Sequence, residues 1–513
     1  MASSVDYAAS SLGDPAIAAE FEEKLSRIRS NPSPVEPHYI GGRELVGDVL
    51  IERFDPCVPS ARVGAACEAT AEQVTTAVED AHAARGVWRR TPFPERVGAL
   101  RTARETVAFA LVELAAIVSA ETGKTRVEAI GEANEVLDMI DHYCRLMEDN
   151  DGYCAPLAST ASEQNSDVMV PYGTFAVITP FNFPIALTVG MVSAAIVTGN
   201  TVVLKPSDKT PRSTATVARM LAEQLPDGVL NIVHGGAEVG RMLAASTVDG
   251  IAFTGSAKVG WDLIETRAPS GLPRPVLAEM GGQNPAIVTG NADLAAAARG
   301  VARSAFGLSG QKCSACRRVV VDAAVAEEFT ALLVSEAEAL TVGDPLLAAT
   351  SLGPLVDDSI GAQVDQSLAE AERDGKVLTG GRLPIAGNFF APIVVSDLPM
   401  GHRLTREELF APFVTVTRVD GLDAAISEAN AVEYGLSAGI FSTDQAEIDR
   451  FLDEIEAGVV YVNRAAGATT GAWPGKQSFC GWKRSGSHGK GGLGNWYLQS
   501  FMREQSRTIV SEL

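Results

Sequence analysis

Cysteine is scarce, with seven scattered over 513 residues. That is too few for a disulfide framework, and the expected setting is intracellular, reducing and cytoplasmic. The six histidines, at 38, 82, 142, 234, 402 and 488, form no metal-ligand spacing, so no metal is expected. Positive charge is outnumbered, 42 Lys+Arg against 64 Asp+Glu, for a formal net charge of −22. Such a chain repels phosphate backbones and anionic lipid, which argues against nucleic acid and membrane as partners. Its opening residues have neither a basic segment nor an apolar one, so no secretory signal is expected. Tandem repeats and low-complexity linkers are missing. There is no Walker A motif and no complete G-x-G-x-x-G, so the standard nucleotide fingerprints are absent.

What is present points to a large α/β protein. Hydrophobic residues make up 46% of the chain, enough for real cores, and the length suggests about three domains. Val168 to Leu204 is 37 residues without a charge, a span that hydropathy alone reads as membrane. Pro171, Pro180 and Pro184 interrupt any single helix there, so we read buried strand, loop, helix and strand. Thr70 and Gln73 have the spacing of a capping box, and Val97, Leu100, Val107, Leu111, Leu114 and Ile117 keep helical spacing from Pro94 onward. Beyond Tyr172, short β-rich runs at 175–179, 201–204, 230–233 and 250–253 alternate with helical segments such as 213–225. A second series runs from 285–288 through 318–321 to 413–417, with a helix at 326–340. This rhythm predicts parallel βαβ units.

Two local patterns carry chemistry. Phe253-Thr-Gly255-Ser256-Ala-Lys-Val-Gly260 follows a strand and opens a helix, where backbone N–H groups can hold a pyrophosphate; an ordinary structural turn is the competing reading. Cys313 lies in Gly310-Gln-Lys-Cys313-Ser-Ala-Cys316-Arg-Arg, between a glycine loop and a following helix or strand. Such a thiol can be exposed and activated by a helix start or a cation. A buried structural cysteine, a redox dithiol with Cys316 and half of a zinc site are the alternatives, and no second C-x-x-C exists.

Six segments decide among these. They are 177–184 (Val-Ile-Thr-Pro-Phe-Asn-Phe-Pro), 204–208 (Leu-Lys-Pro-Ser-Asp), 253–256 (Phe-Thr-Gly-Ser), 277–285 (Leu-Ala-Glu-Met-Gly-Gly-Gln-Asn-Pro), 310–313 (Gly-Gln-Lys-Cys) and 408–410 (Glu-Leu-Phe). In order and spacing they resemble the signatures of the NAD(P)-dependent aldehyde dehydrogenase superfamily over about residues 40 to 510. The resemblance implies an α/β fold with an atypical, discontinuous Rossmann nucleotide-binding domain at 20–150 and 172–282. It also implies an α/β catalytic domain at 283–485 and a small bridging β element for oligomerisation at 151–171 and 495–512. A homodimer or higher homo-oligomer follows.

The resemblance further implies roles. Cys313 is the nucleophile, Asn182 and the Cys313 N–H hold the oxyanion, and Glu279 is the base that hydrolyses the thioester. Thr179, Pro180, Phe181, Lys205, Ser207, Asp208, Gly235, Gly240, Gly255, Ser256, Gly281, Glu408 and Phe410 contact the cofactor. Lys205 and Asp208 match the positions that hold the adenine ribose. A carboxylate at Asp208 favours NAD over NADP, although the neighbouring Lys209 softens that preference and leaves NADP as the alternative. Ala411 departs from the family's usual glycine.

Within the superfamily, the run at 313–316, the 470–472 loop and the tail at 497–502 are most similar to Δ1-pyrroline-5-carboxylate (L-glutamate γ-semialdehyde) dehydrogenases. By that likeness Ser314, Gly471 and Ala472 bind the substrate carboxylate, while Phe183 and Phe479 collar the aldehyde. The stretch 463–475 looks longer than the family's loop, Trp473 is placed to reshape the channel, and Cys480 replaces a usual glycine. Another aliphatic or aromatic aldehyde therefore stays in view. So do a coenzyme-A-acylating semialdehyde dehydrogenase and a catalytically silent structural protein on the same scaffold.

Overall fold

The computed structural model describes residues 14–31, 33–465 and 472–510. Two seven-stranded sheets dominate it. The first has the order Val276–Glu279, Gly250–Thr254, Thr174–Ile178, Thr201–Lys205, Leu230–Ile232, His38–Ile40 and Arg43–Leu45, with the first five parallel. Alternation along these strands explains their unbroken apolar runs. Phe175, Val177, Val202 and Leu204 pack into one core, and Ala176, Ile178 and Val203 into another on the opposite face. A parallel sheet covered on both sides requires this.

The second sheet has the order Lys376–Arg382, Phe390–Ser396, Phe413–Val419, Cys316–Asp322, Asn284–Val288, Ser437–Phe441 and Val459–Val462. Only its Lys376–Arg382 edge is antiparallel. A third, antiparallel sheet joins Cys154–Pro156, Glu163–Pro171 and Met502–Val510.

The helices begin and end where local chemistry dictates. Thr70 accepts from Gln73 N while the Gln73 side chain accepts from Thr70 N, and this closed box starts Ala71–Arg90. The apolar series from Pro94 divides into Phe93–Phe109 and Leu111–Thr122, because Ala110 leaves helical geometry at φ −95, ψ 10. The helix at 213–225 instead spans Pro211–Ala222, ending before Pro226 and the left-handed Gly228. The charge-free stretch runs from the end of strand Glu163–Pro171 through Thr174–Ile178 and the buried helix Ala186–Val197 into Thr201–Lys205. Among the described residues no helix is long and apolar enough to cross a membrane.

Helix Arg126–Asp149 ties together segments far apart in the chain. Glu128, Glu132 and Asp138 lie on it at spacings of about one turn or more, and each reaches a different loop. Glu128 accepts from Leu308 N at 2.5 Å, and Glu132 accepts from Ile185 N and Ala186 N at 2.9 and 3.1 Å. Asp138 accepts from Trp473 Nε1 at 2.6 Å.

Candidate active site

Four of the quoted segments sit at the carboxyl ends of parallel strands in the first sheet. Register aligns them: Thr254 pairs with Glu279, Ile178 with Lys205, and Phe253 with Ile178. The carboxyl edge of an open parallel sheet is where such folds bind ligands, because loops and helix N-termini converge there. Cys313 arrives from the other sheet, in the loop before Cys316–Asp322. A strand follows it, so the thiol is not at a helix start.

Three side chains hold the Cys313 loop. Asn284 donates to Cys313 O at 2.7 Å and Ala315 O at 2.8 Å while accepting from Ser437 N. Asn182 is buried and donates to Gln311 O at 3.1 Å, which brings it to the same loop with one amide hydrogen to spare. Arg317, absent from the sequence-level candidates, is fully buried and donates to Gly310 O at 2.6 Å, Lys312 O at 3.0 Å and Ala411 O at 2.8 Å. Its guanidinium also lies 5.6 Å from the Phe410 ring centroid, so one cation ties the Cys313 loop to the Glu408–Phe410 loop.

Electrostatics joins Cys313 to two carboxylates. Burial foremost, then Glu408 and Glu279, push its thiol up to about 12, opposed by the N–H groups of Ser314 and Cys313. The resting thiol is therefore neutral, contrary to the expected activation by a helix start or cation. Burial also raises Glu279 well above the usual carboxyl range, with the Gly481 backbone opposing, and its Oε2 has no protein partner. Glu408 is raised by burial too, accepts from Gly282 N at 3.1 Å, and fills the space where a side chain at Gly281 would stand. Cys480, placed where a glycine was expected, donates to Gly458 O at 3.3 Å and faces the field of Glu279.

The cofactor candidates occupy one connected strip. Thr179 N–H donates to Lys205 O at 3.2 Å, and Thr179 Oγ1 is buried without a protein partner. Pro180 precedes Phe181, whose ring meets Phe410 edge-on at 5.9 Å. Lys205 Nζ donates to Pro206 O at 2.8 Å and Gly235 O at 2.6 Å, and its stem runs 3.8 Å from where a Cβ on Gly240 would lie. Burial lowers Lys205 to about 8, with Asp208 and Glu68 opposing. Ser207 accepts from Lys209 N at 3.2 Å, while Asp208 is exposed. Ser256 caps Ala257–Glu265 by accepting from Val259 N, which leaves its hydroxyl proton for an anion, and a side chain at Gly255 would strike the Phe253 ring. Lys209 is ion-paired with Asp357 and sits 5.0 Å from the Phe181 centroid. The partnerless Thr179 hydroxyl, the spare Ser256 proton and the buried lysine fit a dinucleotide phosphate and ribose.

On the substrate side, Phe183, Ala472 and Phe479 all pack on one core. Lys124 Nζ lies 3.7 Å from the Phe183 ring centroid and is ion-paired with Glu132, both side chains being completely buried. Phe479 N donates to Gly492 O at 2.8 Å. Ser314 is half-buried beside Cys313, its carbonyl accepting from Ser437 Oγ at 3.3 Å. Gly471 lies outside the described residues. Trp473 is bound to Asp138. On the surface, His402 lies 3.2 Å from Asp374 and 3.5 Å from Glu370, and Arg373 and Arg403 pair with those carboxylates.

Comparison with known proteins finds relatives of nearly the whole chain. The model described as "Aldehyde dehydrogenase family" matches residues 47–506. A 1-pyrroline-5-carboxylate dehydrogenase of Geobacillus sp. (strain WCH70) is 35% identical over 499 residues, covering 95% of each chain. An alpha-ketoglutarate semialdehyde dehydrogenase of Haloferax volcanii is 38% identical over 440 residues, 83% of this chain and 90% of that one. Among solved structures, a 1-pyrroline-5-carboxylate dehydrogenase from Thermus with bound NAD superposes with a TM-score of 0.93 at 31% identity, covering 97% of both chains.

Proposed function

Because the chain belongs to the aldehyde dehydrogenase family, we propose that Cys313 is its nucleophile and that its substrate is a five-carbon semialdehyde with a distal carboxylate, L-glutamate γ-semialdehyde, the open form of Δ1-pyrroline-5-carboxylate. The protein is an NAD-dependent oxidoreductase acting on a small-molecule aldehyde. The observation that carries the assignment of residues is the meeting of Cys313, Glu279 and Asn182 where the first sheet's carboxyl edge abuts the loop into the second. Aldehyde, NAD and water give carboxylate, NADH and two protons.

Cys313 gives up its thiol proton to water, its Sγ adds to the aldehyde carbon, and the oxygen of the resulting thiohemiacetal gathers negative charge. Asn182 meets that oxygen with the hydrogen not given to Gln311, and the Cys313 N–H supplies a second donor; one such donor contributes about 3 kcal/mol. NAD held by Thr179, Lys205, Ser256 and Glu408 would supply a cationic ring that favours ionised groups beside it and a hydride acceptor for the carbon bound to Cys313. Glu279, once ionised, draws a proton from the water that attacks the Cys313 thioester, with its partnerless Oε2 as the accepting atom. A carboxylate in that position supports release to water over transfer to coenzyme A. Ser314 and the backbone at Ala472 receive the substrate carboxylate, and Phe183 and Phe479 border the aldehyde.

A panel of aldehydes tests this. We expect kcat/KM with NAD to rank L-glutamate γ-semialdehyde above succinic semialdehyde and benzaldehyde, no stimulation by coenzyme A, and loss of NADH formation in Cys313→Ala with its circular dichroism intact. A tenfold preference for benzaldehyde would sink the carboxylate anchor. The Haloferax relative supports a second reading, α-ketoglutarate semialdehyde, which differs only in bearing a keto group at C2. If that compound wins tenfold, the distal carboxylate stands and the amino group is not recognised. The exposed edge strand Met502–Val510 supports a homo-oligomer, checked by light scattering. Seven free cysteines support a cytoplasmic setting.

A further inference from the structure

We propose that Glu68 is a second carboxylate of the adenine-ribose subsite and, together with Asp208, excludes a cofactor carrying a 2′-phosphate. The proposal rests on the reading of Lys205 and Asp208 as that subsite.

The geometry starts from Lys205. Its ammonium is fixed by the carbonyls of Pro206 and Gly235, directly before helix Ala237–Ala245. The N-cap of that helix is Gly236, which has no side chain with which to cap. Its N–H donates instead to Glu68 Oε1 at 3.4 Å. A Cβ on Gly236 would lie 3.8 Å from Glu68 Oε1 and 3.9 Å from Asp208 Oδ2. The two carboxylates therefore flank one side-chain-free point, and Lys205 feels the field of both.

The charge count decides the consequence. Lys205 brings one positive charge against the two carboxylates. Lys209, the other cation in this stretch of sequence, is committed to Asp357 beside the Phe181 ring. A ribose hydroxyl can donate to a carboxylate, whereas a 2′-phosphate with nearly two negative charges meets net repulsion at short range. Asp208 is exposed, so water screens its charge and it discriminates weakly alone. Glu68 is half-buried, held by its own N–H to Val49 O at 2.7 Å, and supplies the missing charge. It precedes helix Ala71–Arg90 and is 140 residues from Asp208, so no local motif contains the pair.

The competing role for Glu68 is purely structural, as the acceptor that caps Gly236. Glu68→Gln separates the two, since the amide still accepts from Gly236 N–H but carries no charge. The experiment compares Kd by calorimetry, and kcat/KM at one fixed aldehyde, for NADP and NAD in the unaltered enzyme, Glu68→Gln, Glu68→Lys and Asp208→Asn, with melting temperatures to confirm folding. We expect the NADP to NAD ratio to rise fivefold or more in Glu68→Gln, through the KM for NADP, and further in Glu68→Lys. A smaller rise in both Glu68 variants while Asp208→Asn moves the ratio would leave Glu68 a cap and overturn the proposal. If none of the three moves it, the assignment of Lys205 and Asp208 falls as well.

Discussion

Replacing Gly310 with alanine tests whether the Cys313 loop and the Glu408–Phe410 loop act as one unit. Gly310 has φ +70, a conformation that costs an L-residue roughly 1 kcal/mol. The larger effect is steric. A Cβ there would sit 2.0 Å from Ala411 O, 2.3 Å from Ala411 C and 2.7 Å from Pro412 N, all backbone atoms. Contact requires at least 3.0 Å, so one loop must retreat by roughly 1 Å. Neither is free to do so: Ala411 O is held by Arg317 and Phe413 N, and Pro412 O by Ile393 N. Strain and overpacking together come to about 2–4 kcal/mol. Retreat would pull Cys313 away from Phe410, and displacement by about 1 Å can cost on the order of 10²-fold in rate. We expect Gly310→Ala to lower kcat by about that factor and to reduce the thermal transition by a few degrees, measured by NADH absorbance and by circular dichroism. Gly98, in helix Phe93–Phe109 with nothing within 4 Å of an added Cβ, is the control; its alanine variant should keep full activity. If Gly310→Ala retains activity within threefold, the loops are not coupled as described.

Three further outcomes are expected of the site. Glu279 has a raised carboxyl pKa, so its base form is lost as pH falls through that raised value; thioester hydrolysis should climb with pH beyond the range of an exposed glutamate. In Glu279→Gln, rapid-mixing should show one NADH per site followed by slow turnover, and an unchanged steady rate would remove Glu279 from the mechanism. Trp473→Phe deletes the indole donor to Asp138 and should raise KM for the carboxylate-bearing aldehyde severalfold with a smaller change in kcat; equal KM values would show that the bond does not position the substrate loop. Lys124→Met leaves the buried Glu132 charge unpaired and should destabilise by about 3–5 kcal/mol in a urea titration, part of which Lys124→Met with Glu132→Gln recovers. A single variant as stable as the double would contradict that account.

The strands Thr174–Ile178, Thr201–Lys205 and Gly250–Thr254 were legible in the sequence as short β-rich runs ended by turn residues, whereas the roles of Asn182, Lys205, Ser256 and Glu279 stood out only by the family resemblance, and Val276–Glu279 carried no strand signal of its own. Partners distant in sequence were not legible. Nothing local marks the Arg317–Arg318 pair, and only the fold reveals that both are buried and donate to carbonyls. The Lys124–Glu132 pair, the contact of Glu68 with Gly236 and the bond from Trp473 to Asp138 across 335 positions carry no periodic signal. The ion pair of Lys209 with Asp357 was not legible for the same reason, since nothing local indicates that Asp357 claims it. The state of the Cys313 thiol was not legible because burial and the carboxylates of Glu408 and Glu279, all brought by segments distant in sequence, raise it together.

Helix Arg126–Asp149 works like a camshaft. Its acids at 128, 132 and 138 hold the Cys313 loop, the start of the helix after Phe183 and the Trp473 turn from one rigid rod. Each residue of an α-helix advances by about 100°, so deleting one residue between 133 and 137 would rotate Asp138 relative to Glu128 by that angle and throw the turn out of phase with the nucleophile. The number of residues between Glu128 and Asp138 therefore sets the phase between the Cys313 loop and the Trp473 turn, and with it the register of nucleophile and channel.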